Sequence, residues 1–156
     1  MISMKQEKEA LDRIVQIVAS VPKKDARFLS VATIIGTMLR RVLAVEKALE
    51  ATSISLAQRT KMTQMRSETS HMIEVLGAEL PQQVSLSKVV ALDEASWWFA
   101  LSETTHVLEE CVEQLSGMVS KQEKGSAVRD LTAQCVSLLR DHYNEYLLES
   151  RNWMDG

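Results

Sequence analysis

The sequence predicts an all-α protein: an antiparallel up-and-down helical bundle with a short N-terminal helix and three or four longer ones. Three observations carry this expectation. The 156 residues contain only two prolines and five glycines, while good helix formers are plentiful. Apolar residues recur at steps of three and four through most of the chain, the spacing of one helix face. Breaks in that spacing fall at a few places only. The length is that of one domain with a single core, spanning 1–156.

Residues 5–20, KQEKEALDRIVQIVAS, place Leu11, Ile14, Val15 and Val18 on one side of a short amphipathic helix. Val21-Pro22-Lys23-Lys24 ends it, and Asp25 is a candidate cap for the next helix, from about Ala26. There Phe28, Val31, Ile35, Met38, Val42, Val45 and Leu49 keep heptad spacing, a coiled-coil-like stripe that could pair two copies into a dimer. After Leu49 the phase changes, and a second stripe runs through Met62, Met65, Thr69, Met72 and Leu76 to Gly77. Residues 26–77 form either one long helix with a disturbed heptad or two helices meeting near 52–55. Two fits the size of a compact domain better.

The stretch 77–86, with Pro81, is a break, and Ser87 is a candidate cap for a helix over about 88–119. Its stripe is Trp97, Leu101, Thr104, Leu108, Cys111, Leu115 and Met118. KQEKGS, 121–126, is the clearest loop. The last helix, about 127–150, carries Val128, Leu131, Cys135, Leu138, His142 and Tyr146 on its apolar side.

Charge and motif content narrow the function classes. Residues 1–80 hold twelve Lys/Arg against nine Asp/Glu, and 81–156 hold six against twelve. This polarity suits pairing with a protein partner or another copy. It lacks the concentrated basic face that nucleic acid requires. The first residues turn charged at once, with no apolar run of signal-peptide length, and no stretch reaches the length of a membrane span, so membrane insertion is not expected. Cys111 and Cys135 lack metal-motif spacing and read as reduced thiols in a cytoplasmic protein. There is no glycine-rich phosphate loop and no Ser-His-Asp or Cys-His arrangement, so contact rather than catalysis is the first expectation, and a carboxylate/histidine metal site with oxidative or storage chemistry is the alternative.

One internal echo needs an explanation. SETSHMIE, 67–74, returns thirty-five residues later as SETTHVLE, 102–109, with His71 and His106 in register and a glutamate three residues to either side of each. Glu-x-x-His pairs on bundle helices bind di-iron centres. A turn centred near 124 brings His106 level with His142 and Glu103 level with Glu145, and Glu46 falls at a similar height. Glu46, Glu103, His106, His142 and Glu145 therefore form an alternative metal set for iron, manganese or zinc. Facing opposes it: at 100° per residue His71 and His106 point away from their stripes, and only His142 lies centrally on an apolar face. The last pair also runs His-x-x-Glu. The simpler expectation is no cofactor, with His142 hydrogen-bonded inside the core to Thr104 or Glu145.

The remaining anomalies are apolar. Trp97-Trp98-Phe99 concentrates aromatics in a chain that is only 4% aromatic, and three consecutive positions cannot all face one core. Trp98 and Phe99, with Met62 and Met65 as adaptable contacts and Trp153 near the C-terminus, are the candidate partner-binding residues. The sequence thus reads as a small interaction module, an adaptor, chaperone or regulator acting through an apolar helix face.

Overall fold

The computed structural model describes residues 3–22, 25–52, 55–77 and 97–155, without the side chains of 3–8 and 153–155. Among these residues every regular element is an α-helix: α1 (Ser3–Ser20), α2 (Ala26–Thr52), α3 (Leu56–Leu76), α4 (Trp97–Lys121) and α5 (Ala127–Asp155). The expected all-α bundle is what forms.

Local chemistry sets the helix starts. Asp25 Oδ1 accepts from the backbone N–H groups of Arg27 and Phe28, which fixes the entry to α2. Residues 26–77 are two helices, and the separator is a capping box. Ser55 Oγ accepts from Gln58 N, and Gln58 Oε1 accepts from Ser55 N. Thus a break without glycine or proline is built from side-chain caps. At the KQEKGS loop Gly125 takes a positive φ of 79°, and Ser126 Oγ then caps α5 by accepting from Arg129 N. The expected break at 77–86, the Ser87 cap and the helix start near 88 lie outside the described residues. The last helix runs to Asp155, past the expected end near 150.

Cross-helix bonds fix the directions. Arg66 on α3 pairs with Glu50 on α2, and Thr69 with Glu46, so α2 and α3 are antiparallel. Thr104 on α4 meets Val45 on α2, and Glu110 meets Arg41, so α2 and α4 are antiparallel too. Accordingly α3 and α4 run the same way on either side of α2, and Leu76 and Trp97 sit at opposite ends of the bundle. The tight α4–α5 loop makes that pair antiparallel as well. Apolar packing joins α2 to α3, α2 to α4 and α4 to α5, while α1 lies along α5 and reaches α3. The backbones of α3 and α5 stay further apart.

One core unites all five helices, with Ile14, Ile35, Leu39, Leu49, Met62, Met72, Leu101, Leu108, Leu115 and Leu131 fully buried. Each such side chain contributes about 1.5–3 kcal/mol of transfer free energy. α1 joins this core as well, with Leu11, Ile17 and Val18 packed half-buried against it. Of its described side chains only Ala10 and Ile14 are buried, and none hydrogen-bonds or ion-pairs to another helix.

Two expectations change here. The heptad stripe of α2 packs largely inside the bundle: Phe28, Ile35, Val42 and Leu49 are buried, and Val31, Met38 and Val45 are half-buried against the same core. And α2, at 27 residues, is long and apolar enough to cross a membrane by length and composition, contrary to the sequence expectation. In the bundle its apolar stripe packs into the core, as the central helix of a folded domain does.

Candidate functional site

The middle of the bundle holds a buried cluster of ionisable groups. Glu46 follows Val42 by four residues and precedes Leu49 by three, so helical geometry carries its carboxylate onto the core side of α2. It is fully buried. The same geometry puts His142 and Tyr146 on the core side of α5, and both are fully buried. From α3, Thr69 reaches the same point, and Glu68 stands beside it at the seam with α5.

The cluster is fully bonded. Glu46 Oε1 accepts from Thr69 Oγ1. Its Oε2 accepts from Tyr146 Oη at 2.6 Å and from His142 Nδ1 at 3.0 Å. On the other side of the ring, His142 Nε2 donates to Glu68 Oε2 at 2.9 Å, and Glu68 Oε1 receives Gln64 Nε2 at 3.5 Å. The Tyr146 ring stands edge-on to the imidazole at a centroid distance of 6.4 Å.

A carboxylate facing each ring nitrogen requires a proton on both, so His142 is an imidazolium. Burial alone pushes His142 down. The charges and hydrogen bonds of Glu46 and Glu68 outweigh it and lift the group to about 10. An imidazolium has no free lone pair with which to take a proton or bind a metal. The two nitrogens also point in diverging directions, so Glu46 and Glu68 cannot converge with His142 on one ion. Among the described residues no group of three or more His, Cys, Asp or Glu side chains is placed to hold a metal.

The alternative metal set is therefore not assembled. Glu46 and His142 do meet, as their heights predicted. Glu103 and His106 are exposed on the outer side of α4, where His106 Nε2 pairs with Glu110 at 3.0 Å. Glu145 pairs with Lys61 at 2.8 Å, further along the α3–α5 seam, and Lys61 also reaches Glu149 at 3.3 Å. His142 does not bond to Thr104 or Glu145: the two glutamates take both nitrogens, and Thr104 Oγ1 instead donates to Ala100 O and Val45 O.

These bonds also explain the echo. Thr69 and Thr104 occupy the same place in SETSHMIE and SETTHVLE, and both are fully buried against α2, at Glu46 and Val45 respectively. Two parallel helices flank one antiparallel helix, and each turns an equivalent threonine toward it at the same height. His71 and His106 belong to the outward sides of those helices and are exposed. The repeat is a packing pattern. Sequence reasoning set Glu68 aside along with His71. The signal that would have kept it was its position next to Thr69, an inward-facing residue.

The partner candidates divide. Met62 and Met65 are buried in the core, because the α3 stripe faces inward, and present no surface to a partner. Trp98 is 38% exposed and Phe99 58%, whereas Trp97 is buried. The side chain of Trp153 lies outside the described residues. Two residues not anticipated from sequence join the exposed aromatics at the same end of the bundle: Leu56, 82% exposed at the start of α3, and Leu148, 48% exposed near the end of α5. Cys111 and Cys135 are buried thiols, pushed up by burial to about 11 and about 12, and so are poor nucleophiles.

Compared with known proteins, the chain matches no protein family, no characterised protein and no solved structure.

Proposed function

We propose that this helical bundle is a small protein-interaction module, an adaptor, chaperone or regulator that works by contact rather than by chemistry. A single observation carries the reading. Trp98, Phe99, Leu56 and Leu148, large apolar side chains from three helices, are exposed at one end of the bundle. Exposed aromatic anchors are the side chains that most often dominate binding energy at protein interfaces. The cluster at Glu46, His142 and Glu68 fits this reading, since both ring nitrogens of His142 and the Tyr146 hydroxyl are already engaged by carboxylates. The partner is another protein or a second copy of this chain, bound through that end, with the cytoplasm as the proposed setting.

The test compares the wild-type protein with Phe99→Glu as baits in cross-linking from a cell extract, alongside sedimentation over a range of concentrations. A partner, or a dimer, seen with the wild type and lost with Phe99→Glu supports the reading. The same behaviour from both proteins, at equal thermal stability, contradicts it.

A further inference from the structure

The outer faces of α4 and α5 carry opposite charge. From residue 98 to 114 the exposed positions of α4 include Glu103, Glu109 and Glu113 and no lysine or arginine. From 137 to 152 those of α5 include Arg140 and Arg151 and no carboxylate. The two helices are antiparallel neighbours joined by a short loop, so their outer faces form one surface. Among the described residues Glu109, Glu113, Arg140 and Arg151 make no salt bridge or side-chain hydrogen bond. An acidic strip and a basic strip thus lie side by side, each without its complement.

The heights match pairwise. About the loop between Lys121 and Ala127, Glu109 stands level with Arg140 and Phe99 with Leu148, each to within about 1.5 Å, the rise of one residue. Ion pairs fix the direction round each helix. Glu110 faces α2 through Arg41, so Glu109, about 100° away, lies on the side of α4 nearer α5, while Phe99 keeps to the α2 side. Glu145 faces α3 through Lys61, so Arg140 lies on the side of α5 nearer α4, and Leu148 lies further from it. The charged pair flanks the α4–α5 seam, and the apolar pair lies outside it.

We propose that this face is a homodimer interface, in which a second copy docks its α4 on α5 and its α5 on α4 about a twofold axis parallel to the helices. The proposal rests on the reading of the chain as an interaction module and names the partner as the chain itself. Rotation about that axis leaves every height unchanged and exchanges the two helices. Glu109 of each copy then meets Arg140 of the other, and Phe99 meets Leu148, in a closed arrangement. Two helices about 37 Å long and together about 20 Å across present roughly 700 Å² per copy, near the ~800 Å² that a specific interface takes from each partner. Exposed ion pairs add little strength and are screened by salt, so the dimer is weak, sensitive to salt and set in register by charge.

The test is sedimentation equilibrium of the full-length chain at low salt, as wild type, Glu109→Arg, Arg140→Glu and an equimolar mixture of the two variants. The wild type should show a monomer–dimer equilibrium that weakens as salt is raised. Each variant alone sets like charges against each other at two places and should self-associate at least about tenfold more weakly. In the mixture every facing pair is again opposite, so a heterodimer should form about as strongly as the wild-type dimer. An attraction between Glu109 and Arg140 within one chain would not be restored by mixing. Wild type that stays monomeric up to about 0.5 mM overturns the proposal without any variant. So does a mixture that associates no more strongly than its components, with both variants at wild-type thermal stability. A monomeric wild type that still captures a Phe99-dependent partner leaves the interaction reading standing and removes only the dimer. A dimer that obeys the charge exchange but is unmoved by Phe99→Glu keeps this face and removes the apolar end as the anchor.

Discussion

At position 142 a leucine would satisfy the stripe of α5, yet the chain places a histidine there and surrounds it with two carboxylates. Its group sits near 6.5 in an unfolded chain and about 10 when folded, since Glu46 and Glu68 more than offset burial. The sign follows from which state holds the proton. Below about 6.5 both states are protonated and the full stabilisation is present; above it the unfolded chain loses its proton first, so stability falls until the folded group titrates near 10. The denaturation midpoint in urea should therefore decline from pH 7 to pH 10, and decline less in His142→Gln. A wild-type midpoint that is flat or rises over this range contradicts the assignment. Thr69 and Thr104 make a second test at this scale. Thr69→Val takes a donor from the buried Glu46 and should cost about 1–3 kcal/mol. Thr104→Val removes only bonds to backbone carbonyls and should cost less than about 1 kcal/mol. Equal losses from the two, measured by urea unfolding, would show that the echo does not divide as described.

Among the elements, the division between α2 and α3 depends on Ser55 and Gln58 rather than on any breaker residue. Ser55→Ala should cost about 1 kcal/mol by removing the cap, read as a lower thermal midpoint with the fold retained. No change in midpoint would mean that packing alone ends α2. Helix existence was legible from the three-to-four residue stripes, because burial of one face is what those stripes encode. Helix direction was harder. The sequence invites a hairpin between α3 and α4, but these helices run parallel, as the bonds from Glu50 and Glu46 to α3 and from Val45 to α4 show. Nothing in a stripe records which neighbour it packs against. The heptad of α2 illustrates this: its spacing resembles a dimer seam, while its partners are the protein's own helices.

Over the whole molecule, hydrophobic pairing builds two antiparallel units, α2 with α3 and α4 with α5, joined through α2 and α4. Ion pairs between α3 and α5, together with the apolar packing of α1 against both, close the remaining side. The meeting of Glu46 with His142 was readable from helix heights, since both distances along the bundle follow from 1.5 Å per residue. The role of the pair was not readable. Whether two carboxylates and an imidazole form a metal site or an ionic bridge depends on the direction of each ring nitrogen, and only coordinates supply that. Exposure of Leu56 was likewise hidden, because a leucine at the first position of a helix has no periodic context to mark it as outward, whereas Leu148 falls off the Leu138-His142-Tyr146 stripe inside α5. The central claim is that His142 is a doubly protonated bridge between Glu46 and Glu68. Nitrogen-15 NMR of the histidine ring at pH 8.5, before and after adding zinc, tests it most directly. The account predicts an imidazolium with both nitrogens protonated and unmoved by zinc. A neutral ring at that pH, or a nitrogen shifted by the metal, would contradict it.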